Sequence, residues 1–204
     1  MRFRNVIWIR HGKTGGTSLE YALAGINGHN GWPGCGLITV EPEPFKIIEV
    51  HSIRSSYLYG VDEFKAKWPD VWDDAYKFTL VRNPYDRFVS AWKYLDYTSS
   101  RPINKLLTGR FPEVVDFHLK RPQTKDILIN GRLDVDHIVR FEDFQNSVDG
   151  LCDILEIDRR PLPHLRKSDR LPPRHYFNAV SAEMVYDHFK DDFEYLGYTK
   201  DSWK

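Results

Sequence analysis

At 204 residues, with 41% hydrophobic and 14% aromatic content, the chain is long and apolar enough for one folded domain spanning 1–204, and its composition argues against disorder. Its 29 basic residues are matched by 29 acidic ones, so the basic excess of a general nucleic-acid binder is missing and no nucleic-acid partner is expected. The apolar run at Val6 is too short for a signal peptide or membrane anchor, and Cys35 and Cys152 match no metal-ligand spacing, which fits thiols in a reducing compartment.

The first element is Val6-Ile7-Trp8-Ile9, a continuous apolar, β-prone run of the kind that forms a strand buried on both faces. Ser18 to Ala24 then has helical spacing and stops at Gly25. Between them lies His11-Gly12-Lys13-Thr14-Gly15-Gly16-Thr17-Ser18, a glycine-bearing strand-to-helix loop that suits a phosphate-like group. Gly15 and Gly16 would let the backbone approach the ligand, the first-turn amides near Thr17 and Ser18 would point at it, and Lys13 would add a full charge. A lysine-bearing turn with no ligand is the alternative. The Walker order places lysine after the glycines, whereas Lys13 precedes the glycine pair, so the loop is P-loop-like only.

Phe45 to Val50 reads as the next strand, with His51 at its C-terminal end. Ligands of open parallel sheets gather outside such ends, and an imidazole suits proton abstraction near neutral pH. A helix cap or a surface histidine is the other reading. Tyr76 to Arg82 is a further buried strand, after which Asn83-Pro84 opens a helix with proline at its favoured first position. Arg82 at the strand end can bond phosphate oxygens in pairs, and Ser90 on the helix adds a hydroxyl. Arg87 shares the face of Ser90 and either meets the ligand or pairs with Asp86 or a neighbouring carboxylate.

Asp136 to Phe144 reads as a strand entering a helix whose core positions are Val148, Leu151, Cys152 and Leu155, with Glu142 and Asp143 as first-turn acids. The proline-rich stretch Pro161 to Arg174 is a long loop, either a lid or a solvated basic segment. Ser181 to Phe189 follows as a capped helix. His29, His118 and His137 read as structural or solvated, while His164 and His175 could reach substrate. Trp32, Tyr57, Trp92 and Tyr94 are either core or surfaces for sugar rings.

Four segments together carry a resemblance. Lys13-Thr14-Gly15-Gly16-Thr17-Ser18 is similar to the phosphosulfate loop of carbohydrate-type (heparan and chondroitin) sulfotransferases that use 3′-phosphoadenosine 5′-phosphosulfate (PAPS). His11-Gly12 departs from the apolar residue and proline usual there. Arg82-Asn83-Pro84-Tyr85-Asp86-Arg87-Phe88-Val89-Ser90 resembles the same family's 3′-phosphate element, Ile138 to Phe144 its Ile-x-Arg-Phe-Glu-Asp-Leu segment, and Asp192 to Tyr198 its C-terminal ending. The resemblance implies PAPS as sulfuryl donor, 3′-phosphoadenosine 5′-phosphate (PAP) as product, no metal, and a hydroxyl-bearing acceptor, a carbohydrate. It implies that Lys13, Thr14, Gly15, Gly16, Thr17, Ser18, Arg82 and Ser90 bind the nucleotide, with Lys167 and Ser168 closing over it from the late loop, and that Lys13 and His51 are catalytic, His51 as general base.

The fold expected is α/β, a mostly parallel sheet flanked by helices. A cytoplasmic enzyme of bacterial or viral type is expected, although an excised Golgi-luminal domain would read the same. A nucleotide-dependent kinase is the rival enzyme, but its second strand should end in an aspartate for Mg²⁺, where this chain has Arg82. A non-catalytic nucleotide- or glycan-binding protein would have no need of Lys13, His51, Arg82 and Ser90 together.

Overall fold

The computed structural model describes residues 5–24, 37–39, 46–51, 61–95, 101–163 and 170–204. In chain order the elements are β1 (Asn5–Arg10), α1 (Gly16–Ala24), β2 (Leu37–Thr39), β3 (Lys46–His51), α2 (Val61–Lys67), α3 (Pro69–Asp74), β4 (Tyr76–Val81), α4 (Pro84–Tyr94), α5 (Ile103–Thr108), α6 (Glu113–Lys120), β5 (Leu128–Ile129), β6 (Arg132–Leu133), β7 (His137–Arg140), α7 (Phe144–Leu155), α8 (Ala179–His188) and α9 (Lys190–Leu196). The chain divides into two compact units, one of residues 1–11, 15–81 and 126–165 and the other of 12–14, 82–125 and 166–204.

The first unit is built on a sheet of order β2-β3-β1-β4-β7. β1 pairs in parallel with both β3 and β4, and β4 with β7, while β2 runs antiparallel on the edge. Residues Val6 to Ile9 of β1 have no solvent exposure, as a central strand covered on both faces requires. Val6, Trp8, Phe78, Leu80 and Val139 pack with Leu19 and Leu23 of α1 and Val148, Leu151 and Leu155 of α7 in one core. The α/β, mostly parallel reading therefore holds. Two short features lie outside the sequence expectation: the edge strand β2 and the β5–β6 hairpin, whose Asn130-Gly131 turn has both residues at positive φ (49° and 74°), the type I′ geometry.

Cys152 is a buried, free thiol of this core, and burial pushes its pKa up to about 11, so it behaves as an apolar group. Glu142 and Asp143 fall in a 3-10 turn ahead of α7; Asp143 accepts a hydrogen bond from Asn146 at 2.7 Å, a local structural role. Among the described residues no helix is long and apolar enough to cross a membrane.

The second unit is helical. Tyr85, Phe88 and Val89 of α4 pack with Leu106 of α5, Val115 and Leu119 of α6, Val185 of α8, and Phe189 and Phe193. The cap of α8 is Asn178, which accepts from Ser181 N while Ser181 Oγ receives Asn178 N, so Ser181 is the third residue of a capping box and the helix starts earlier than its sequence suggests. Asp192 is fully buried and accepts from the backbone and side chain of both Gln123 and Thr124 at 2.7–3.2 Å. Truncating it would strand several buried donors, so Asp192→Ala is expected to destabilise the protein by about 3–5 kcal/mol, read as a lower urea midpoint with unchanged slope.

Candidate active site

The loop after β1 is shaped by its neighbours. Gly15, at φ +101°, caps α1: its carbonyl accepts from Ser18 N at 3.0 Å and Leu19 N at 3.3 Å. The Ser18 amide expected to face a ligand is therefore engaged within the turn. The glycines also answer to close neighbours within the fold. A side chain on Gly15 would come within 2.8 Å of the Phe141 ring, and one on Gly16 within 2.7 Å of Arg10 Nε. Arg10 is fixed over Gly16 by its ion pair with Glu20 at 3.2 Å. His11, where the family has an apolar residue, is buried with Nδ1 3.9 Å from the Asp126 carboxylate, so the departure is absorbed as a buried polar pair.

In the second unit, Lys13 and Arg82 come together. Lys13 has φ +66°, a left-handed conformation that costs a residue with a side chain roughly 1–2 kcal/mol. Its carbonyl accepts from Arg82 Nη1 at 3.2 Å, and that of Gly12 from Arg87 Nη1 at 3.5 Å. Thr14 is buried beside them. Arg82 is held by more than the loop: its backbone exchanges hydrogen bonds with the Gln123 side chain at 2.8 and 2.9 Å, and its guanidinium grips Asp86 Oδ2 from Nε and Nη2, both at 2.6 Å. Arg170 binds the other oxygen of Asp86 at 2.5 Å. Burial raises the Asp86 pKa, but the Arg170 hydrogen bond and the Arg82 charge outweigh it and hold the carboxyl below its usual range.

Arg87 is held by backbone carbonyls and not by Asp86. It is 2% exposed, donates to the Arg121 carbonyl at 2.6 Å as well as to Gly12, and lies over the Phe189 ring; Asp86 belongs to Arg82 and Arg170 instead. Arg87 is thus a buried brace for the loop. Ser90 is 6% exposed on the same helix, which Asn83 caps by accepting from Tyr85 N, with Pro84 at the first position as expected.

His51 is the last residue of β3 and stands opposite Arg10 in the β1–β3 register. β1, β3 and β4 are neighbours in one parallel set, so His51 ends β3 level with Arg10 at the C-terminal end of β1.

The family model described as Sulfotransferase family matches residues 4–199. The chain belongs to the sulfotransferase family. Its fold is similar to the crystal structure of a sulfotransferase from Alicyclobacillus acidocaldarius, at 16% identity and a TM-score of 0.50, covering 95% of this chain and 94% of that one, a likeness of fold alone. No curated protein matches the chain.

Two residues of this sulfotransferase were not singled out by its sequence: Gln123, which splints Arg82, and Arg170, which reaches Asp86 from 84 positions away. Neither has a local signature. Lys167, Ser168 and His164 lie outside the described residues, as do Trp32, Tyr57, His29 and Cys35. His175 is exposed in a 3-10 turn. Trp92 packs between Phe88 and Tyr176 as a core-facing aromatic, whereas Tyr94 is 53% exposed.

Proposed function

We propose that this enzyme moves the sulfuryl group from PAPS to a hydroxyl of a carbohydrate acceptor, and that residues 1–204 act as one catalytic domain. The acceptor oxygen attacks sulfur, the bond from sulfur to the bridging oxygen breaks, and the electron pair leaves on the 5′-phosphate of PAP. Lys13 and the amides of Gly16 and Thr17 stabilise that leaving charge, with the Thr14, Thr17 and Ser18 hydroxyls around the loop. Arg82 and Ser90 hold the 3′-phosphate, Lys167 and Ser168 close over the nucleotide, and His51 takes the acceptor proton. Lysine and amides supply the charge neutralisation that Mg²⁺ gives a kinase, so the reaction needs no metal.

The observation that carries this reading is the link between the two phosphate elements. Arg82, anchored by Asp86 and Gln123, hydrogen-bonds the Lys13 carbonyl, so the residue assigned to the 3′-phosphate and the loop assigned to the phosphosulfate are one bonded set. The test compares PAP with 5′-AMP in the absence of Mg²⁺. PAP is expected to bind at least tenfold more tightly, because a charge-assisted bond to the 3′-phosphate contributes roughly 1.5–3 kcal/mol, and Arg82→Ala should erase the preference. Equal affinities in the wild-type protein would remove the 3′-phosphate assignment.

A further inference from the structure

The Lys13 ammonium lies 3.6 Å from the centroid of the Tyr94 ring, and Tyr94 is the last residue of α4, exposed over half its surface. A large aromatic left that exposed at a helix end has no core to fill, yet its orientation is fixed from the other side. The His118 ring of α6 meets it edge to face at 5.7 Å, and His118 in turn sits against the loop: a side chain on Gly12 would come within 2.6 Å of its Nδ1. The loop backbone is secured by Arg82 and Arg87 through the carbonyls of Lys13 and Gly12. Those bonds fix where Lys13 starts, and the aromatic face orders the end of its side chain.

Resting on the role proposed above for Lys13, we infer that Tyr94 is a positioning residue, holding the Lys13 ammonium where the phosphosulfate of the donor is received. His118 completes the device as a neutral support. Burial, with the charges of Lys13 and Arg87, pushes its pKa down to about 4, so it adds no further cation at neutral pH; Asp116 and Lys120 on its own helix are paired with each other at 2.8 Å.

The test is a calorimetric titration of PAPS into five proteins: wild type, Tyr94→Leu, Tyr94→Phe, Lys13→Ala and the Tyr94→Leu/Lys13→Ala double variant. Tyr94→Leu should weaken PAPS binding roughly two- to fivefold, the range open to one cation–π contact on a half-exposed ring, and Tyr94→Phe, which keeps the ring, should match wild type. In the Lys13→Ala background the leucine change should have no further effect, since its only route of action is gone. An equal loss in both backgrounds, tighter binding by Tyr94→Leu, or no rescue by phenylalanine overturns the role of Tyr94 while leaving Lys13 in place. Unchanged PAPS affinity in Lys13→Ala overturns this inference, whereas the catalytic role of Lys13 stands or falls with the turnover of that variant.

Discussion

Lys13→Ala is expected to slow sulfuryl transfer by roughly 10²–10³-fold, the scale for removing one preorganised electrostatic group from a transition state. The charge on the bridging oxygen grows as the bond to sulfur breaks, so the ammonium interacts more strongly with the transition state than with bound donor or product. PAP affinity should therefore fall much less than turnover. Assay of the variant with ³⁵S-labelled PAPS and a carbohydrate acceptor panel, beside a PAP titration, separates the two effects. Near-normal turnover would reduce Lys13 to a surface charge, and its strained backbone and contact with the Tyr94 ring would then have no catalytic purpose.

His51→Ala is the second large effect. Loss of the general base should lower activity by roughly 10²–10⁴-fold while PAP binding stays near the wild-type value. The wild-type rate should also fall at acidic pH, as the base takes up a proton and can no longer accept one. His118 cannot produce that limb, because its pKa is pushed down to about 4. Retained activity would move the base elsewhere, with Glu49 and His164 next, and lost PAP binding would make His51 part of the phosphate site.

What the sequence made legible was local. Val6 to Ile9 announces a strand covered on both faces by its unbroken apolar run, and Asn83-Pro84 announces a helix start by capping chemistry; the structure has both. His51 could be set at a strand end because strand and loop punctuation are short-range signals. The supports of the site are long-range and polar, and no periodicity encodes them. Asp86 recruits Arg170 from 84 residues away, Gln123 splints Arg82 from 41, and Asp192 fixes Gln123 from 69. The crowding at the glycines was not legible, since only the fold brings Phe141 over Gly15 and Arg10 over Gly16. Strand β2, at three residues, is too short to show any period.

The most direct measurement of the central claim is a competition between PAP and ATP for the purified protein, with and without Mg²⁺. The bonded pair of Arg82 and the Lys13 loop predicts micromolar-range PAP binding that is independent of Mg²⁺ and at least tenfold tighter than ATP, which lacks the 3′-phosphate. Tighter binding of ATP, or binding that appears only with Mg²⁺, would contradict it.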